Sequence, residues 1–103
     1  MRIVGTIQQQ RIVILVDSGS THNFLDLSVV KRTKISRNFL QIIKVTVANG
    51  EEILSEGKCT YVCLILQGNT FCSEFFVLTL GGCDVVLGVQ WLRTLGPIVW
   101  DFL

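Results

Sequence analysis

The chain has 103 residues, a net charge of +1 and four cysteines; half of its residues are hydrophobic and only 17% are charged. That is room for one domain spanning residues 1–103, with no basic block to track nucleic acid. The longest unbroken apolar stretch, Tyr61 to Leu66, is far too short to cross a bilayer, and "MRIVGTIQQQR" holds no segment of secretory-signal length.

In chain order, Ile3 to Ile7 and Arg11 to Val16 read as two strands joined through Gln8-Gln9-Gln10, a turn without the glycine that tight hairpins favour. The second strand delivers Asp17 into a Ser-Gly-Ser turn. Beyond it, "HNFLDLSVVKR" has apolar residues at 24, 27 and 30, which predicts a short helix with Asn23 as its N-cap. Ile43, Val45 and Val47 alternate into Asn49-Gly50, the strongest short hairpin signal, in which both central residues would take positive φ. Strands are expected from Lys58 to Leu66 and from Thr70 to Leu80. "GGCDVVLGVQWLRTLG" reads as turn, short buried strand and a helix from Val89 to Leu95, ended by Gly96-Pro97. Ile98 to Leu103 would be a last strand. The class is mostly β, a small closed barrel with one or two short helices.

Cys59, Cys63, Cys72 and Cys83 contain no Cys-x-x-Cys pair, and one histidine accompanies them, so neither a metal site nor a cofactor is expected. Without a secretion signal, reduced and mostly buried thiols are the expectation. Cys59 and Cys63, four apart on one strand, would share its inner face. Taken alone, Asp17 is a common turn-starting aspartate. His22 has no nucleophile spaced for it, and Trp91 and Trp100 suit core or interface packing.

Three motifs in order change the weight of Asp17: "VDSGSTHNFLD", "VTVANGE" and "DVVLGVQWLRTLGPIVWDF". Together they resemble the retropepsins, the retroviral-type aspartic proteases, and most of all the protease domain of Ty3/gypsy-type retrotransposon polyproteins. The resemblance runs over nearly the whole chain. It implies an aspartic endopeptidase with Asp17 as its catalytic residue and Ser18, Gly19 and Ser20 as its catalytic loop. Ser18 would bond across a dimer interface, Gly19 would allow close backbone approach, and Ser20 would donate to Asp17. The Asn49-Gly50 hairpin would be a flap over the substrate, with Val47 and Ala48 facing the cleft. Phe24 and Val86 would line an apolar pocket, while Asp84 would anchor a strand.

Only one Asp-Ser-Gly is present, since Asp26, Asp84 and Asp101 lie in no such turn. The second carboxylate is therefore expected from a second copy, in a homodimer with Asp17 on the two-fold axis. Such a dimer would also cover the surplus apolar surface, through strands at both termini. The implied substrate is an extended peptide or polyprotein, with no nucleic acid or membrane as partner. The implied location is the cytoplasm or the inside of a virus-like particle. The alternative is a retropepsin fold with weak or no catalysis, serving as a dimerisation or peptide-binding module.

Overall fold

The computed structural model describes residues 1–47 and 49–88. Among them the chain forms β1 (Arg2–Ile7), β2 (Gln10–Val16), β3 (Phe24–Asp26), α1 (Leu27–Thr33), β4 (Lys44–Thr46), β5 (Glu52–Leu54), β6 (Lys58–Leu66), β7 (Asn69–Leu78) and β8 (Val85–Leu87). Six of these strands close a barrel in the order β1-β2-β8-β3-β7-β6, and β4 with β5 stands apart as a hairpin. The mostly-β expectation holds, with one short helix in the described part. The expected helix from Val89 to Leu95, the last strand and both tryptophans lie outside the described residues.

β8 sets the plan of the molecule. It enters between β2 and β3, parallel to β2 with Leu15 opposite Val86 and antiparallel to β3 with Phe24 opposite Val86. Its neighbours flank both edges and both of its faces are buried, as its uninterrupted apolar sequence requires. Side chains alternate across these strands between two apolar clusters. Ile12, Ile14, Leu25, Phe75, Val77, Val85 and Leu87 turn into the main core. Phe24, Phe76, Leu78 and Val86 turn the other way, into a smaller cluster with Leu15, Ile43 and Val45.

Three local expectations are corrected. The residues from 24 to 26 are a strand, paired in parallel with Phe76 to Leu78, so the helix begins later than its apolar spacing implied. Its N-cap is Asp26, whose carboxylate accepts from the Ser28 amide at 3.0 Å and from the Ser28 hydroxyl. Asn23 is buried and spans elements instead: its amide nitrogen donates to Ser73 Oγ (3.2 Å) and Glu74 O (3.4 Å), and its oxygen accepts from the Gly88 amide (2.8 Å).

Secondly, Cys63 and Cys72 form a disulfide between paired positions of β6 and β7, where reduced thiols were expected. The reason is an irregularity in β6 between Cys59 and Val62. It shifts the alternation by one residue, leaving Cys59, Val62, Leu64 and Leu66 buried and turning Cys63 outward beside Cys72. Cys59 and Cys63 therefore do not share a face. Cys59 and Cys83 are free thiols, and burial pushes both above the usual thiol range.

Thirdly, the Asn49-Gly50 hairpin is not a two-residue turn with two positive φ values. Val47 N–H donates to Glu51 O and Gly50 N–H to Val47 O, each at 2.9 Å. Among the described tip residues only Gly50 has positive φ, at 87°. The Asn49 side chain instead accepts from the Glu51 amide at 2.9 Å, which makes this a longer hairpin loop of the type closed by a left-handed glycine. The two-residue geometry with both φ positive occurs in the first hairpin, at Gln8 (50°) and Gln9 (67°).

Candidate active site

Asp17 follows the last residue of β2, and its position comes from the strand crossing just described. Its amide donates to Leu87 O of β8 at 2.9 Å, while Val16 N–H donates to Met1 O at 2.8 Å. The turn is closed by Ser20 N–H on Asp17 O at 3.1 Å, and the Gly19 amide donates to Asp17 Oδ1 at 2.9 Å. A carboxylate whose lone pair already points at a backbone donor is oriented without any other side chain. Asp17 is exposed, at the edge of a cleft of about 830 Å³.

The loop is pinned from below by a close approach. A Cβ on Gly88 would fall 2.7 Å from Ser20 O and 2.6 Å from His22 O, so only glycine lets the end of β8 lie against the turn. The same Gly88 amide is held by Asn23. Neither residue was singled out from the sequence as part of the site. The sole local signal was a glycine closing the apolar run of β8.

Of the expected catalytic loop, Gly19 and Ser20 line the cleft with Asp17. Ser18 is exposed and makes no hydrogen bond within the described residues. Ser20 does not serve Asp17 as expected: its hydroxyl donates to His22 O at 2.6 Å. Val47, Phe24 and Val86 line the cleft. Asn49 and Gly50 do not; they form the tip of the hairpin that overhangs it. Ala48 lies outside the described residues. The wall also includes Leu15, Ile43, Val45, Leu78 and Leu80, which sequence inspection read only as strand residues.

The other aspartates in the described part are committed elsewhere. Asp84 accepts from Val13 N–H at 2.7 Å and lies 3.7 Å from Arg32, anchoring the entry to β8 as expected. Asp26 is buried. Burial alone would raise its pKa, but hydrogen bonds from the Ser28 hydroxyl, Leu80 N–H (2.7 Å) and Ser28 N–H, aided by Arg32, outweigh it and hold the carboxyl below its usual range. Among the described residues, Asp17 is thus the one carboxylate facing the cleft, and no cluster there has the make-up to hold a metal ion. No helix among them is long and apolar enough to cross a membrane.

Comparison with known proteins agrees with this architecture. The PEG10/RTL1 protease domain family matches residues 13–101. The retroviral protease-like domain of Ddi1 from Leishmania major superposes with a TM-score of 0.72 at 17% identity, over 91% of this chain and 76% of that one. The EIAV protease, solved with the inhibitor HBY-793, gives 0.67 at 18% identity over 93% and 88%. The simian foamy virus (mac) protease gives 0.64 at 15% over 94% and 97%. No curated protein sequence matches significantly. With the family match spanning most of the chain, from the second strand of the barrel almost to the last residue, the protein belongs to the PEG10/RTL1 protease domain family and has the retropepsin-like fold.

Proposed function

We propose that this chain is an aspartic endopeptidase, active as a homodimer, that hydrolyses extended peptides and processes a retrotransposon-type polyprotein. The observation that carries the reading is Asp17: an exposed, backbone-oriented carboxylate at a cleft that contains no second one among the described residues. Hydrolysis by water needs a base for the water and an acid for the carbonyl oxygen. Two carboxylates in contact supply both by sharing one proton, the established behaviour of aspartic proteases. The partner subunit's Asp17 would complete the pair across a two-fold axis.

In this reading one carboxylate takes the water proton as the oxygen attacks the carbonyl carbon, and the other protonates the carbonyl oxygen. The resulting diol collapses, the C–N bond breaks, and the amine leaves with a proton from the dyad. Ser18 bonds across the interface, and Gly19 keeps its amide on Asp17. The hairpin of β4 and β5 closes over the peptide, with Val47 and Ala48 against it and Asn49-Gly50 at its tip. An added substrate strand would pair with its backbone. Phe24 and Val86 would receive apolar side chains next to the scissile bond.

The test is cleavage of a mixed peptide library by wild type and Asp17→Asn, with oligomer mass measured in the same buffer. Cleavage by a dimer, reduced roughly 10³-fold or more in the variant, is the expected result. A dimer that binds peptides and cuts none would transfer the fold to a binding role.

A further inference from the structure

Among the described residues, the ionisable side chains lining the cleft besides Asp17 and the Cys83 thiol are His22 and Lys44. The His22 ring stands edge-on to Phe76 at 5.2 Å and to Phe24 at 6.4 Å, half-buried. These contacts seat the imidazole in the wall five residues beyond Asp17, and no carboxylate among the described residues pairs with it. Lys44 belongs to β4, in the overhanging hairpin. Its ammonium is 3.5 Å from Glu52, with both side chains more than half exposed, an arrangement that solvent largely screens. Behind Phe76 lies Lys58, 5.4 Å from the ring centroid, but Glu74 at 2.7 Å already offsets that charge.

We propose that this cleft selects peptides carrying a glutamate or aspartate near the scissile bond, the acidic side chain being drawn to the cleft lining that includes His22 and Lys44. The proposal rests on the endopeptidase reading above. A substrate carboxylate entering an apolar cleft loses water and needs a cation in exchange, whereas a substrate lysine would meet like charge. Phe24, Phe76 and Val45 make the surroundings apolar, Lys44 provides a cation and the His22 ring provides an N–H donor. In a symmetric dimer the same wall occurs twice, so an acidic residue is favoured on both sides of the cut.

The experiment uses fluorogenic octapeptides with an apolar pair at the scissile bond and Glu, Gln or Lys placed singly at each flanking position. They are assayed on the full chain at low salt and about pH 5. At one position on each side, kcat/KM for Glu should exceed that for Gln roughly three- to five-fold, with Lys below both. The ratio should shrink with added salt, and fall in Lys44→Gln and in His22→Phe, which keeps the ring and removes its N–H. Equal values for Glu and Gln at every position would overturn the proposal. If no peptide is cut, neutral ones included, the endopeptidase reading fails on its own. Affinity for the same peptides with a reduced scissile bond, read by fluorescence anisotropy, then decides: tighter binding of Glu than Gln supports the acidic preference, and equal or absent binding overturns it.

Discussion

At Gly19 a methyl group would fall 3.2 Å from Asp17 Oδ1, closer than most real contacts of a Cβ, while the backbone there needs no left-handed conformation. Gly19→Ala should therefore fold and still misplace the carboxylate. We expect kcat/KM to drop roughly 10²-fold, by the usual sensitivity of catalysis to such misplacement, with a change in stability under about 1 kcal/mol. A thermal melt beside the rate measurement separates the two effects. Asp26 gives the opposite pattern, stability without chemistry. Its carboxyl caps α1 and holds Leu80 N–H, so Asp26→Ala should cost about 1–3 kcal/mol in urea denaturation. Because the folded pKa lies below the ordinary 3.8, the ionised form is favoured by folding. That contribution is complete above the unfolded value and is lost as pH falls through the folded one. Wild type should thus lose stability below about pH 4 more steeply than Asp26→Asn, a slope that denaturation between about pH 2 and 6 would measure.

Among the elements, the first hairpin carries avoidable strain. Gln8 and Gln9 both sit at positive φ, a conformation costly for residues with a Cβ and natural for Asn-Gly. The double change Gln8→Asn with Gln9→Gly should stabilise the fold by about 1 kcal/mol and raise Tm by roughly 4–8 °C. An unchanged or lower Tm would mean that the turn contributes little to the strain. The absence of glycine in Gln8-Gln9-Gln10 hid the turn type, since the flanking register dictates the geometry and the glutamines merely tolerate it. β6 is the harder case for sequence inspection. Strict alternation placed Cys63 with Cys59, and a single irregularity reversed the outcome for every later residue of the strand.

For the molecule as a whole, half its residues being hydrophobic has a partial explanation within one chain. β3, β8 and the last four residues of β7, from 75 to 78, bury both faces, one in the main core and the other in the floor of the cleft. What remains outside includes Val4, Leu40, Leu54 and Tyr61, all large and exposed. If the dimer is the working form, specific activity should rise with protein concentration and level off, and Tm should rise with it. Activity per chain independent of concentration down to the nanomolar range, with a monomer mass by sedimentation, would contradict the homodimer.

The apolar strand running into Asp-Ser-Gly, the Asn-Gly hairpin and the buried strand before Gly88 were legible from residue order, because turn chemistry and strand alternation act over a few neighbours. The resemblance they carried then pointed to the family. Contacts between distant residues settled the rest. Asn23 was the expected cap and Asp26 is the cap found; the outcome depended on Ser73 and Gly88 for one, 50 and 65 residues away, and on Leu80, 54 residues away, for the other. The pairing of Cys63 with Cys72 followed from a shift in β6 that no local pattern announces. Whether an apolar residue of β8 faces core or cleft was likewise unreadable in the run itself, since both faces are apolar and only the strands on either side distinguish them.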